Sequence, residues 1–133
     1  MKLIAHRANI NGHSSEENSP QQVDKCIELG YDIEIDIRYN PVTKIFWLGH
    51  DEPQYNVSFE WISTRQSFLW IHCKDLITLN KFTETDCQYF WHQEDDFTLT
   101  SNNYIWTLPG KPYMEKSIVV MPEKIMDIKK LID

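Results

Sequence analysis

From Tyr31 to Ile37 the chain reads Tyr-Asp-Ile-Glu-Ile-Asp-Ile, an alternation of period two. In a strand this puts the isoleucines on one face and the acids on the other. Ahead of it, Ser19-Pro20-Gln21-Gln22 has the form of a helix start, with Ser19 as N-cap, Pro20 at the first helical position and Gln22 placed to close a capping box. Val23, Cys26 and Ile27 then share one face and Gly30 supplies a left-handed stop, so the spacing predicts a helix over about 20–29. Lys2 to Ala5 predicts a short strand, separated from that helix by a polar loop from Arg7 to Asn18. Strand, helix and strand within 37 residues make a βαβ unit, whose strands run parallel and whose crossover is right-handed.

Further along, Asn40 to Thr43 contains Pro41 and predicts a turn, followed by a strand over Lys44 to Leu48 that runs into Gly49-His50-Asp51. Ser67 to Lys74 alternates Leu69, Ile71 and Cys73 against Trp70, His72 and Lys74, which is again a strand pattern. Asp75 is placed to cap a short helix through about Phe82. Gln88 to His92, Tyr104 to Thr107 and Ser117 to Val120 predict strands, with Thr98 to Asn103 hairpin-like between two of them. Glu123 to Ile132 puts Ile125, Ile128, Leu131 and Ile132 on one helical face, expected to pack on the outside of the sheet.

Composition narrows the class. A chain of 133 residues builds one core and not two, so a single domain over 1–133 is expected and every functional group must share one site or surface. Apolar runs reach only four or five residues, far below the roughly 20 that cross a bilayer, so no membrane span is expected. The N-terminus meets Lys2, His6 and Arg7 too soon for a secretory signal. A formal charge of -7 without a basic stripe argues against nucleic acid. Cys26, Cys73 and Cys87 are odd in number and lack CxxC spacing, which fits a reducing cytoplasm.

The chemistry gathers in the first half. Residues i and i+2 of a strand lie roughly 6.6 Å apart and point the same way, so Glu34 and Asp36 can converge on one ion. For an arbitrary E-x-D the ordinary reading is a polar surface. Parallel strands of βαβ units are covered on both faces, however, and two buried carboxylates are costly unless a divalent cation keeps them ionised. His6 and Arg7 follow the first strand and His50-Asp51 follow another, at the sheet end where ligands bind in parallel α/β folds. Two imidazoles as acid and base, a guanidinium forking onto phosphate oxygens and a metal are what phosphodiester cleavage requires. Trp47, Trp91 and Trp106 read as core; Trp70 points with His72 and Lys74 and can line the pocket instead. The run Glu94-Asp95-Asp96 reads as a solvated loop rather than a second metal site.

Ile4-Ala5-His6-Arg7, Glu17-Asn18-Ser19-Pro20, Gly30 through Ile37 and Leu48-Gly49-His50-Asp51 resemble, in order and spacing, the successive motifs of the glycerophosphodiester phosphodiesterases. Ile71-His72-Cys73-Lys74 is similar to that family's glutamate-x-lysine strand, and Ile105-Trp106-Thr107 to its late tryptophan-threonine strand. The resemblance implies an α/β fold, a reduced or incomplete TIM-type barrel with mostly parallel strands and few helices. It implies His6 and His50 as the acid and base, Arg7 and Lys74 on the phosphate, Glu17 supporting the site from the first loop, and a divalent metal (Mg2+, Ca2+ or Mn2+) on Glu34 and Asp36.

Three departures stand out. The family's glycine after His-Arg is Ala8, and the loop that follows carries extra residues through His13. His72 stands where the third metal ligand is normally a glutamate; an imidazole ligand shifts preference toward manganese, iron or zinc, whereas a His72 that is no ligand is a hydrogen-bonded wall residue. A full eightfold barrel takes about 250 residues, so elements are missing and the open edges invite a homodimer. The expected activity is cleavage of a glycerophosphodiester, lysophospholipid head group or similar alcohol-linked phosphodiester, in which a neighbouring substrate hydroxyl can attack phosphorus. The alternative is a non-catalytic module on the same shortened barrel that binds a phosphate ligand or sugar phosphate.

Overall fold

In the computed structural model, which describes residues 2–10, 15–92, 97–107 and 114–121, the alternating acids and isoleucines lie on the strand at the centre of the fold. β1 (Lys2–Ala5) leads through a single 3-10 turn (His6–Ala8) and a loop to α1 (Pro20–Glu28), which returns the chain to β2 (Asp32–Asn40). Ser19 caps α1 by accepting a hydrogen bond from the Gln22 amide at 3.2 Å, and Gly30 takes the left-handed conformation at φ +87° that ends it. β1 and β2 pair in parallel, Ile4 opposite Asp32 and Ala5 opposite Ile33, as the βαβ pattern predicts.

Beyond this unit come β3 (Ile45–Leu48), β4 (Tyr55–Val57), α2 (Phe59–Thr64), β5 (Leu69–Cys73), α3 (Leu76–Phe82), β6 (Tyr89–Phe90), β7 (Phe97–Leu99), β8 (Ile105–Thr107) and β9 (Ser117–Met121). The sequence pattern did not predict β4, α2 or the 3-10 turn. The predicted C-terminal helix over Glu123–Ile132, the acidic run Glu94-Asp95-Asp96 and His13 lie outside the described residues.

Among the described residues nine strands form a mixed sheet in the order β4-β3-β2-β1-β9-β8-β7, with β5 on the other edge of β2 and β6 beside β5. β3 is antiparallel to β2, β4 to β3 and β7 to β8, whereas β1, β2, β5 and β6, and likewise β1, β9 and β8, run parallel. This corrects the expected TIM-type barrel of mostly parallel strands. Among the described residues no ladder joins β6 to β8, so the ring does not close. The physical reason is length: eight βα units need about 250 residues, and part of this shorter chain goes into hairpins.

Period two divides the side chains cleanly. Ile33, Ile35, Ile37, Leu69, Ile71 and Cys73 face a core shared with Val23 and Cys26 of α1, Ile62 of α2 and Phe82 of α3, all nearly or fully buried. Each such isoleucine contributes roughly 1.5–3 kcal/mol. On the other face, Ile4, Trp70, Phe90, Trp106 and Ile118 meet in a second cluster drawn from β1, β5, β6, β8 and β9. Strands that are not ladder partners therefore share one interior, and the sheet curls around it. Trp106 is buried as expected; Trp47 is half-buried and Trp91 is 44% exposed.

Candidate metal site

Glu34 and Asp36 stand on the curled face of β2, above the second apolar cluster, with 1% and 0% of their surface exposed. The parallel register sets His72 of β5 opposite Asp36. His72 Nδ1 is 3.2 Å from Asp36 Oδ1 and 3.7 Å from Glu34 Oε1. These three buried residues each offer a donor atom, and the donors lie within 4.8 Å of one another. Asp36 Oδ1 is buried and faces His72 Nδ1; unless that nitrogen carries a proton the oxygen has no donor, a costly state for a carboxylate that a cation relieves. The donor set therefore fits a divalent metal.

The chain leaving β1 turns sharply, with Arg7 at φ +53° and Ala8 at φ +63°. Ala8 adopts here a conformation that glycine takes without strain. The turn aims the Arg7 amide at Glu34 Oε2 (2.9 Å) and sets His6 Nε2 3.7 Å from the same oxygen. Arg7 then reaches over the acids: Nε lies 3.6 Å from Asp36 Oδ2, Nη1 3.7 Å from Glu17 Oε1, and Nη2 3.0 Å from His50 Nε2. Glu17 also accepts from Asn9 Nδ2 at 3.2 Å.

His50 follows β3 on a turn that only glycine can begin. Gly49 has φ +153°, and a Cβ there would stand 1.9 Å from the Glu52 carbonyl oxygen. Its amide donates to Asp36 O at 3.0 Å, and Arg38 donates to the carbonyls of Gly49 and His50. The His50 ring lies with Nδ1 3.4 Å from Asp36 Oδ2 and 3.5 Å from Lys74 Nζ. An arginine nitrogen only donates, so toward Arg7 the His50 Nε2 atom is an acceptor, while Nδ1 faces both the Asp36 carboxylate and the Lys74 ammonium.

Burial pushes the Asp36 carboxyl up, but hydrogen bonds from His50, His72 and Asn18 together outweigh it and hold the group well below its ordinary value. For His72 burial lowers the value, and the hydrogen bonds and charges of Asp36 and Glu34 overcome this to raise it to about 9. Without an ion, a proton thus rests between the carboxylates. Burial pushes the Cys26 thiol up to about 11 and Cys73 to about 12, so neither supplies a thiolate nucleophile at neutral pH.

The fold thus brings together His6, Arg7, Glu17, Glu34, Asp36, His50, His72 and Lys74. Trp70 lies beneath them, 3% exposed, edge-on to Tyr104 at 5.2 Å, its indole donating to Asp32 Oδ2 at 3.0 Å. Two site residues escaped the sequence reading. Asn18, fully buried at φ +64°, donates to Asp36 Oδ2 at 3.0 Å and accepts from the Asp36 amide at 2.9 Å. Arg38 continues the Glu34, Asp36 period, and that spacing was its available signal. A cavity of about 540 Å3, lined by Tyr39, Lys44, Phe46, Phe59 and Lys81 among others, opens elsewhere, and none of these site residues lines it. Among the described residues no helix is long and apolar enough to cross a membrane. Comparisons with protein-family models, curated proteins and solved structures return no match.

Proposed function

We propose that the chain is a metal-dependent phosphodiesterase acting on a glycerophosphodiester or similar alcohol-linked phosphodiester. The observation that carries this reading is the convergence of two imidazoles, His6 and His50, and two cations, Arg7 and Lys74, on the buried Glu34, Asp36 and His72. The resemblance of four ordered motifs to the glycerophosphodiester phosphodiesterases supports it. The free, buried cysteines suit a reducing cytoplasm.

Arg7 and Lys74 bind the phosphate monoanion, Arg7 with its planar fork. Drawing the guanidinium onto phosphate takes it off His50 Nε2 and frees that lone pair. His50 then accepts the proton of the attacking hydroxyl, from the substrate or from water, as the new O–P bond forms. Asp36 stabilises the resulting imidazolium through Nδ1. His6, in its protonated form, gives its proton to the leaving alkoxide as the old P–O bond breaks. A divalent ion, when bound, supplies a Lewis acid that offsets charge on the phosphoryl oxygens.

In an assay on bis(p-nitrophenyl) phosphate and glycerophosphodiesters, His6→Ala and His50→Ala are each expected to lower kcat roughly 10²- to 10⁴-fold, and chelator to abolish turnover. Full rates in both variants remove the acid and base assignment. Ligand stabilisation without turnover in the wild type assigns the chain to a phosphate-binding module instead.

A further inference from the structure

We propose that the ion held by Glu34, Asp36 and His72 is a first-row transition metal, manganese, iron or zinc, and that the site discriminates against magnesium and calcium. This deepens the metal-dependent reading above and rests on it.

His72 Nε2 lies 3.3 Å from the carbonyl oxygen of His92. A carbonyl only accepts, so Nε2 carries the proton, and in the neutral imidazole the lone pair is on Nδ1, the atom that faces Asp36 Oδ1 and Glu34 Oε1. A backbone carbonyl on the far nitrogen fixes the tautomer and orientation of a metal-binding imidazole in just this way. The ring is also held in place. It stacks on Phe90 with centroids 5.0 Å apart and planes 12° from parallel, and it meets the His92 ring edge-on at 4.7 Å. Turning Nδ1 away from the acids by a flip of the ring would carry Nε2 off the His92 carbonyl.

The other two donors are carboxylates, and Asp36 Oδ1 is a buried oxygen that faces Nδ1 and has no other hydrogen-bond partner. Calcium takes six to eight oxygens and magnesium a near-ideal octahedron of them, so an imidazole fixed as one of three buried donors suits neither. Two carboxylates and an imidazole suit the borderline ions, whose affinity for nitrogen exceeds that of the hard cations.

Calorimetric titration of the metal-free full chain with Mn2+, Zn2+, Mg2+ and Ca2+ tests the inference without any turnover. Mn2+ and Zn2+ are expected to bind on the order of 100-fold more tightly than Mg2+ and Ca2+, and His72→Glu to narrow that gap to roughly tenfold or less. Should the variant not fold, pulsed EPR of the wild-type Mn2+ complex reads the same contact directly, as coupling to one imidazole 14N. Equal affinities for hard and borderline ions, or a Mn2+ complex without nitrogen coupling, overturn the inference. Tight Mn2+ binding without phosphodiester turnover retires the phosphodiesterase reading and leaves this one standing; turnover sustained as well by Mg2+ at equal affinity does the reverse.

Discussion

Asp36 is fully buried, and its two oxygens face different rings, Oδ1 toward His72 and Oδ2 toward His50. The second contact depends on the turn from Gly49 to Gln54 that joins β3 to β4. Gly49 donates to the Asp36 carbonyl, Arg38 ties down the carbonyls of Gly49 and His50, and the Gln54 amide closes onto Leu48 O at 2.9 Å. A side chain at position 49 would meet backbone atoms, which cannot rotate away: Glu52 O at 1.9 Å and Gln54 N at 3.1 Å. Gly49→Ala is therefore expected to cost about 2–3 kcal/mol in denaturant unfolding and to displace His50 from Asp36. The companion Gly30→Ala separates strain from clash, because Gly30 also has a positive φ but nothing within 4 Å of its Cβ position. It is expected to cost about 1 kcal/mol and to leave turnover unchanged.

At the scale of elements, α1 couples stability to the site because it starts next to Asn18. Removing the Ser19 hydroxyl in Ser19→Ala leaves the Gln22 amide without its cap, at a cost of about 1 kcal/mol. The first turn then loosens where Asn18 grips Asp36, so metal affinity is expected to fall in the same variant, which titration reads beside the unfolding curve. The helix and β2 were legible because each satisfies a local rule: a polar cap before a Pro, and strict alternation along Ile33 to Ile37. β4 and α2 were not legible for an equally local reason. Tyr55, Val57, Phe59 and Trp61 keep an unbroken period of two although the chain changes from strand to helix at Phe59, where the Ser58 side chain accepts from the Trp61 amide. Alternation assigned faces correctly but gave no neighbours. That His72 stands opposite Asp36 follows from the β2–β5 register, and the failure of the strands to close is likewise a property of pairing across the whole chain. Asn18 stands beside Glu17 in the same motif, and an uncharged amide that orients a carboxylate has no sequence signature of its own.

For the molecule as a whole, the site ties folding to protons and metal together. His72 rises from an ordinary 6.5 to about 9 in the metal-free fold, so its contribution is fully present below pH 6.5 and is lost as the pH rises through about 9. The shift is equivalent to ~3 kcal/mol at most, a large part of the 5–15 kcal/mol typical of a domain. Asp36 has the opposite sign. Its value is lowered from 3.8, so its contribution is present above pH 3.8 and is lost as acid carries the solution through the depressed value. Thermal unfolding of the metal-free protein is thus expected to show a plateau near pH 4–6.5 and a fall on its alkaline side. A metal at 100 times its Kd adds about 2.7 kcal/mol, or roughly 10 °C in Tm at this size. Below pH 9 the ion must first displace the His72 proton, so its affinity strengthens as the pH rises. Saturating Mn2+ should therefore remove the alkaline fall, and the Tm difference between loaded and metal-free protein should widen from pH 6 to pH 9. A metal-free Tm that stays level across that range would mean that no proton bridges His72 and the two acids.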